Sequence, residues 1–299
     1  MKTKRFALVL IFALALTFSF TVAPLQVQAD DKTLDIGAIA WEESLAIADL
    51  IQYVVRTELG YNVKVTNPAA GVAYQAVAQG DLDLFLESWQ PSTQANYLKK
   101  YKVMDFCNFG PMYEEAKLTW AVPAYVPEDM LSSVEDLAKP EVKKKLNGEI
   151  TGIDPGAGIM NISDRMMEEY EALSGYELLE GSGAAMQASL KDAIMNDEWI
   201  VVTGWQPHSM YGRFELRNLE EPKKMLGEEE RIHMLGRTDF VADFPSKVSQ
   251  FLSRFYLPIG MVNDLSNMYS NMGEGAGAKW AQEHPEIIDY FVNGVDALE

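Results

Sequence analysis

The chain has 299 residues, a formal charge of −19 at pH 7 and a composition that is 48% hydrophobic. This acidic balance argues against nucleic acid and anionic membrane surfaces as partners, because both repel negative charge. The single cysteine, Cys107, excludes an internal disulfide, so a buried apolar core must provide the stability. Roughly 270 mature residues are enough to build two lobes of ordinary domain size.

The first 29 residues have the three parts of a secretory signal. Basic residues open the chain (MKTKR), an apolar stretch follows, and the small-residue sequence V-Q-A ends at Ala29. An uncleaved membrane anchor is the alternative, but Pro24 and the polar residues from Gln26 onward shorten the apolar stretch below the roughly 20 residues that a helical span needs. We therefore expect cleavage after Ala29 and release into the periplasm.

Short apolar runs alternate with longer amphipathic stretches in the first part of the mature chain. The predicted strands are 34–40, 61–66 and 83–89, and the predicted helices between them are 44–60 and 72–80. Strands that alternate with helices indicate an α/β lobe with a parallel sheet and right-handed crossovers.

A second α/β unit is predicted after a strand at 117–126. Its elements are a glycine-rich turn at 148–158, a helix at 159–173, a strand at 176–181, a helix at 184–197 and a strand at 199–205. A turn-rich run at 219–230 then leads to a strand at 231–240 and to C-terminal helices. A unit inserted between an outgoing and a returning strand is typical of two-lobed binding proteins that close about a hinge.

The predicted fold is therefore α/β with two lobes joined by a hinge and a ligand cleft between them. The predicted divisions are a signal peptide at 1–29, the first part of lobe 1 at 30–122, an inserted lobe 2 at 123–230 and the C-terminal part of lobe 1 at 231–299.

Three of the six tryptophans end predicted strands: Trp41, Trp89 and Trp205. A single tryptophan is most often a core residue. Ligands of open α/β sheets lie beyond the carboxyl ends of strands, however, so three rings at such ends indicate a shared cleft. Ring faces attract a quaternary ammonium group, which has no N–H to donate. The sequence thus predicts an aromatic cage for a quaternary ammonium ligand.

The other tryptophans and the histidines carry weaker signals. Trp199 and Trp280 are interpreted as packing residues, whereas Trp120, in the strand that leads to the second unit, fits either role. His208 is interpreted as a turn residue that bonds backbone after Pro207. The remaining histidines have no metal-ligand spacing, so neither a metal nor a cofactor is expected.

The turn at 151–160, TGIDPGAGIM, precedes a predicted helix. Free N–H groups at a helix start bind anions, and Gly156 and Gly158 let the backbone come close to a ligand. A simple tight turn is the alternative interpretation. A carboxylate docked at this turn would complement a trimethylammonium in the cage, and glycine betaine carries both groups.

Several segments resemble those of the glycine betaine/proline betaine/choline binding proteins of ABC importers. They are AWEES, ESWQPST, AVPAYV, ITGIDPGAGIM, VVTGWQPH and LRNLEEPKKMLGEEERIH, and together they span nearly all of the mature chain. The resemblance implies a periplasmic-binding-protein fold of the second structural type, with membrane permease subunits as partners. It places Trp41, Trp89 and Trp205 in the cation cage and the amides of Gly158 and Ile159 on the ligand carboxylate.

Two positions depart from the betaine-binding pattern of that family. Gln94 stands where betaine-binding relatives carry a histidine that contacts the carboxylate, and a neutral amide is a weaker donor than a charged one. Glu43 stands where choline-binding relatives carry an acidic residue that accepts from the choline hydroxyl. We predict glycine betaine as the ligand, with a choline-binding protein of the same family as the alternative.

Two other classes compete with a binding protein. An exported hydrolase would use the tryptophans as a sugar platform and Glu42, Glu43 or Glu87 as acid and base, but no hydrolase motif such as G-x-S-x-G or H-E-x-x-H is present. A structural envelope protein would leave three tryptophans at strand ends unexplained. The sequence therefore favours a monomeric binding protein over an enzyme.

Overall fold

The computed structural model describes residues 30–294, so the predicted signal peptide at 1–29 lies outside the described residues. Nine strands occur within this range: β1 (Asp30–Gly37), β2 (Tyr61–Thr66), β3 (Leu84–Gln90), β4 (Cys107–Pro123), β5 (Glu149–Thr151), β6 (Glu177–Leu179), β7 (Val202–Gln206), β8 (Leu216–Asn218) and β9 (Glu230–Gly236). They form one continuous sheet in the order β2-β1-β3-β9-β4-β7-β5-β6, with β8 also paired to β4.

Helices connect and flank these strands. Within residues 30–294 they are α1 (Glu42–Thr57), α2 (Ala70–Gln79), α3 (Ala95–Leu98), α4 (Pro140–Lys145), α5 (Gly158–Glu169), α6 (Gly183–Met195), α7 (Met210–Arg213), α8 (Phe240–Asp243), α9 (Ser246–Arg254), α10 (Ile259–Met272), α11 (Ala276–Glu283) and α12 (Pro285–Asn293). The C-terminal helices α10 and α11 pack on α1. None of the described helices has the length and apolarity that a membrane crossing requires.

Strand β4 belongs to both lobes. Its first part pairs with β9 as far as Ala116, and from Lys117 onward it pairs with β7 and then with β8. Lobe 1 therefore contains β1, β2, β3, β9 and the first part of β4, and lobe 2 contains the remainder of β4 with β5 to β8. Because β4 changes partners before the boundary predicted after residue 122, the limits of the lobes stay predictions.

The sheet is mixed, which corrects the prediction of a parallel sheet. The βαβ units are parallel as expected, with β1 beside β2 and β3 and with β5 beside β6 and β7. The returning strand β9 is antiparallel to both of its neighbours, β3 and β4, and β4 is antiparallel to β7. A chain that leaves lobe 1 through β4 and comes back through an adjacent strand has to reverse its direction.

Strand β4 begins at Cys107, ten residues before the strand predicted at 117. The missed part contains Gly110 with φ 101° and Glu115 with φ 64°, and its register with β9 shifts repeatedly. These irregularities break the period of two by which a strand is recognised in a sequence.

Two tryptophans serve the core. Trp120 is fully buried in β4, and its Nε1 donates to Ser163 Oγ on α5 at 3.0 Å, so it links the shared strand to lobe 2. Trp280 is 1% exposed and stacks on His284. Trp120, for which the sequence left two roles open, is therefore a packing residue, and the interpretation of Trp280 as a packing residue is confirmed.

Candidate ligand-binding site

The three tryptophans predicted to form a cage lie together at the lobe interface. Trp41 is the N-cap of α1, Trp89 lies near the end of β3 and Trp205 lies in β7, and all three are buried. The ring centroids of Trp41 and Trp205 are 5.5 Å apart at an interplanar angle of 48°. The three rings line a closed cavity of about 10 Å³, roughly the space of one water molecule. The cleft therefore has to widen to admit a ligand.

A short sequence repeat marks two of these positions. Trp89 and Trp205 each open the tripeptide Trp-Gln-Pro, and the peptide bond before each proline is cis. One copy ends a strand of lobe 1 and the other ends a strand of lobe 2, and both face the same cavity. This shared tripeptide is a sequence signal for equivalent positions in the two lobes.

Each cage indole donates its N–H to a carboxyl oxygen. The bonds are Trp205 Nε1 to Glu43 Oε1 at 2.8 Å, Trp89 Nε1 to Glu87 Oε2 at 3.0 Å and Trp41 Nε1 to Asp154 Oδ2 at 3.3 Å. A satisfied N–H fixes the plane of its ring and leaves the ring face for a ligand. The bonds of Trp205 and Trp41 cross from one lobe to the other, so they also hold the cleft closed.

Two of these carboxyl groups lie in a dry environment. Glu43 and Glu87 are fully buried, and burial raises the pKa of Glu43 to about 8. Burial, followed by the nearby charge of Glu43, raises the pKa of Glu87 well above its usual range. Glu43 bonds to the Trp205 indole and lies outside the residues that line the cavity, and its contact with the hydroxyl of a ligand such as choline stays a prediction.

Helix α5 starts at the opposite wall of the cavity. Its N-cap, Ala157, has no capping side chain, and the N–H groups of its first turn have no intrahelical acceptors. Gly158 and Ile159, which open the helix, both line the cavity. The preceding Gly156 has φ 84°, a left-handed conformation that glycine adopts without strain. The residues of the predicted anion site and of the predicted cage therefore line the same cavity.

Gln94 adds an oriented donor to this wall. The side chain is fully buried, and its Oε1 accepts from Tyr74 Oη at 2.9 Å and from the backbone N–H of Trp89 at 3.1 Å. These two bonds identify the oxygen of the amide, so Nε2 is the atom left without a partner. Because Gln94 lines the cavity, its free N–H group is available to a ligand acceptor.

Thr93 is a further candidate that our sequence analysis missed. Its buried Oγ1 has no hydrogen-bond partner, and the residue lines the same cavity. Glu230, at the start of β9, accepts from the backbone N–H of Ser92 at 3.1 Å and of Thr93 at 2.9 Å and so fixes this turn. Glu230 lies at the end of the run that we treated only as turns. In the sequence, the position of Thr93 next to Gln94 was the feature that could have marked Thr93 as a site residue.

Further contacts bridge the two lobes around the cavity. Tyr97 Oη donates to the carbonyl oxygen of Gly156 at 2.6 Å, and Arg213 Nη2 lies 3.0 Å from Glu42 Oε1. Together with the indole bonds that cross the cleft, they define a closed conformation in which solvent has little access to the cavity.

His208 supports Trp205 and lies outside the residues that line the cavity. Its Nδ1 accepts from the backbone N–H of Met210 at 3.0 Å, which confirms its interpretation as a turn residue. Its ring lies edge-on to Trp205 with centroids 4.4 Å apart. Burial lowers the pKa of His208 to about 4, so the ring is neutral at pH 7.

Residues 32–290 match the family model described as the substrate binding domain of ABC-type glycine betaine transport systems. The chain belongs to this family. It is 33% identical over 168 residues to the glycine betaine/carnitine transport binding protein GbuC of Listeria monocytogenes. That match covers 54% of this chain and 55% of the relative, so the chain spans about half the length of the curated relative.

Solved structures extend the likeness over most of the chain. Lactococcal OpuAC in its closed-liganded conformation with glycine betaine has a TM-score of 0.79 and 29% sequence identity, covering 88% of this chain and 100% of the other. An ABC-transporter choline binding protein in complex with choline also has a TM-score of 0.79, with 25% identity over 88% of this chain and 92% of the other. The predicted family and the two-lobed α/β fold are confirmed.

Proposed function

We propose that this protein binds glycine betaine in the closed cleft between its lobes and delivers it to the permease subunits of an ABC importer. It acts in the periplasm as a monomeric binding protein and not as an enzyme. The names of the Listeria relative and of the lactococcal structure, both of which refer to glycine betaine, support this proposal.

One observation carries the proposal: an aromatic wall and a wall of hydrogen-bond donors line the same small cavity. Trp41, Trp89 and Trp205 form the first wall, and the start of α5 with Gln94 forms the second. Glycine betaine has a trimethylammonium group at one end and a carboxylate at the other, so each end meets a complementary wall.

The aromatic wall accounts for most of the affinity. Each desolvated contact between a cation and a ring face contributes about 2 kcal/mol, so three rings contribute about 6 kcal/mol. A micromolar complex needs about 8 kcal/mol. Burial of the methyl groups and the carboxylate contacts supply the rest.

The donor wall favours a carboxylate over a hydroxyl. The N–H groups of Gly158 and Ile159, together with Gln94 Nε2, are donors without a charged acceptor of their own. Choline would leave part of this set unpaired, at a cost of about 1–3 kcal/mol for a buried donor. This cost corresponds to a preference for glycine betaine of about fivefold to 150-fold.

Choline is the second candidate ligand, because the choline-bound structure matches this chain as well as the betaine-bound one does in TM-score. A choline site would need Glu43 as the acceptor for the hydroxyl. Glu43 Oε1 is engaged by Trp205 here, and only Oε2 is without a partner. We therefore place choline second and expect Glu43→Gln to weaken choline binding more than betaine binding.

Catalysis has little support in this geometry. A hydrolase needs an acid and a base that face its substrate. Glu43 and Glu87 bond to the indoles, Glu42 pairs with Arg213, and all three lie outside the lining of the cavity.

Titration calorimetry of the purified protein tests the proposal against glycine betaine, proline betaine, carnitine and choline. We expect stoichiometric binding of glycine betaine at micromolar affinity or better, with the ligand recovered unchanged. Trp199→Ala is the matched control for cage variants, because Trp199 is a partly buried tryptophan on the far side of lobe 2. Tighter binding of choline than of betaine, or turnover of any ligand, would contradict the proposal.

A further inference from the structure

Glu43 and Glu87 form a buried acidic pair directly behind the cage. Glu43 lies in the first turn of α1 and Glu87 in the middle of β3, and neither side chain has any solvent exposure. Each uses one oxygen to hold a cage indole; the second oxygen of Glu43 has no hydrogen-bond partner, and beside Glu87 lies only the neutral hydroxyl of Ser44. Burying two ionised carboxyl groups costs free energy unless they are protonated or a positive charge compensates them.

The surroundings of the pair provide no positive charge. Among residues 30–294, neither carboxyl forms an ion pair with Lys, Arg or His. The titratable groups that face the pair are Glu42 on α1, Tyr74 on α2 and Tyr113 on β4, and all are acidic. The Tyr113 hydroxyl is buried without a partner, and burial raises its pKa well above the usual range. The compensating charge must therefore come from a proton or from a ligand.

A cation bound in the cage would lie close to Glu43 and Glu87. Both carboxyl groups contact indole nitrogens whose rings line the cavity, so a cation in the cage is separated from them by one ring. Raised pKa values of both carboxyls agree with an empty cage in which the pair keeps its protons. A permanent cation nearby favours the ionised form of a carboxyl.

We propose that Glu43 and Glu87 supply the counter-charge of the bound ligand: the pair is neutral when the cage is empty, and one carboxyl ionises when a quaternary ammonium group enters. One O–H bond of the pair breaks, its electron pair stays on the carboxylate oxygen, and the proton leaves to solvent. The inference rests on the proposed function, since it needs a cation in the cage. It makes the pair a determinant of selectivity for cationic over neutral ligands of the same shape.

Calorimetry in two buffers of different ionisation enthalpy, phosphate and Tris, measures protons released on binding. We expect glycine betaine to release up to one proton per ligand near pH 7, and its affinity to rise by up to tenfold per pH unit in the range where release occurs. The comparison ligand is 3,3-dimethylbutanoate, which has the same carboxylate and a neutral tert-butyl group in place of the trimethylammonium. It is expected to bind without proton release or not to bind.

Conservative variants locate the source of the proton. Glu87→Gln and Glu43→Gln keep an oxygen for the indole N–H but remove the ionisable group. The variant that removes the ionising carboxyl should abolish proton release and weaken betaine binding by about tenfold or more, because a unit counter-charge near the ligand is lost. The other variant should keep the proton release, and retention of proton release by both variants would contradict the inference. Glu58→Gln removes an exposed charge at the far end of the same helix and should change neither quantity. Thermal melts check that each variant is folded.

The outcomes separate this inference from the proposed function. Betaine binding with the same enthalpy in both buffers from pH 6 to 9 would overturn the inference and leave the function standing. Equal proton release with the neutral analogue would overturn it as well. If a Gln variant does not fold, the two-ligand comparison on the parent protein still decides. Absence of binding by any quaternary ammonium compound would overturn both.

Discussion

Gly158→Ala should weaken ligand binding without destabilising either lobe. A Cβ atom at this position would lie 2.3 Å from Thr93 Cγ2 and 2.8 Å from the Thr93 carbonyl oxygen. Gly158 opens α5 in lobe 2 and Thr93 follows β3 in lobe 1, so the clash arises only when the lobes are closed. The backbone oxygen cannot rotate away, which means that relief requires the cleft to open.

The size of the effect follows from the closed conformation. Overpacking of a well-packed contact costs about 1–3 kcal/mol. If the closed state is the binding-competent one, this cost lowers its population and raises the apparent Kd for glycine betaine by about fivefold to 150-fold. The free energy of unfolding should change little, because the open form has no clash.

Calorimetry with glycine betaine and a thermal melt of the unliganded protein measure the two quantities. Gly260→Ala is the matched control, since a Cβ there meets no atom within 4 Å. Adding Thr93→Ser to Gly158→Ala should restore only part of the affinity, because it removes the methyl group but not the carbonyl oxygen. Parent-like affinity of Gly158→Ala would refute the reasoning that closure brings these residues into contact.

Three further predictions concern the cage, the donor wall and its support. Trp205→Ala and Trp89→Ala should each cost about 2 kcal/mol or more of betaine binding, and Phe at either position should cost less because a ring face remains; parent-like Kd values of both Ala variants would contradict the cage. Gln94→Glu replaces the free donor with an acceptor and should weaken betaine by about tenfold or more while affecting choline less, which a competition titration decides. His208→Asn, which retains an acceptor for the Met210 N–H, should lose less stability than the parent as the pH falls from 6.5 to 4. Because the buried His208 has a pKa of about 4, the unfolded state binds the proton first, and this costs the parent up to about 3 kcal/mol of folding free energy. Equal pH profiles of the melting temperature for parent and variant would exclude this role.

The sequence was sufficient to predict the elements that have regular periodicity. Helix α1 and the βαβ order of lobe 1 follow from the alternation of apolar runs, and α2 ends on Gly80 in the left-handed conformation that its position suggested. The irregular first part of β4 was not predicted, because Gly110 and Glu115 interrupt the alternation of apolar and polar residues. The antiparallel direction of β9 was not predicted, because strand direction depends on contacts between residues that are distant in sequence.

The candidate site was likewise predictable from the sequence only in part. The meeting of Trp41, Trp89 and Trp205 was predictable because each lies at the carboxyl end of an apolar run, where α/β lobes bind their ligands. The hydrogen bond of Trp205 to Glu43 was not, since it joins side chains from different lobes. The bond of Trp89 to Glu87 lies within β3 and depends on how the two side chains are oriented. The free donor of Thr93 was also hidden, because an unpaired hydroxyl is a property of packing and not of residue type.

A crystal structure of the protein with glycine betaine shows whether the ligand lies in this cleft in the proposed orientation. We expect a closed cleft with the trimethylammonium group in contact with the faces of Trp41, Trp89 and Trp205. We also expect the carboxylate within hydrogen-bond distance of the Gly158 and Ile159 N–H groups and of Gln94 Nε2. A betaine bound elsewhere, or bound with its carboxylate toward the tryptophans, would contradict the account.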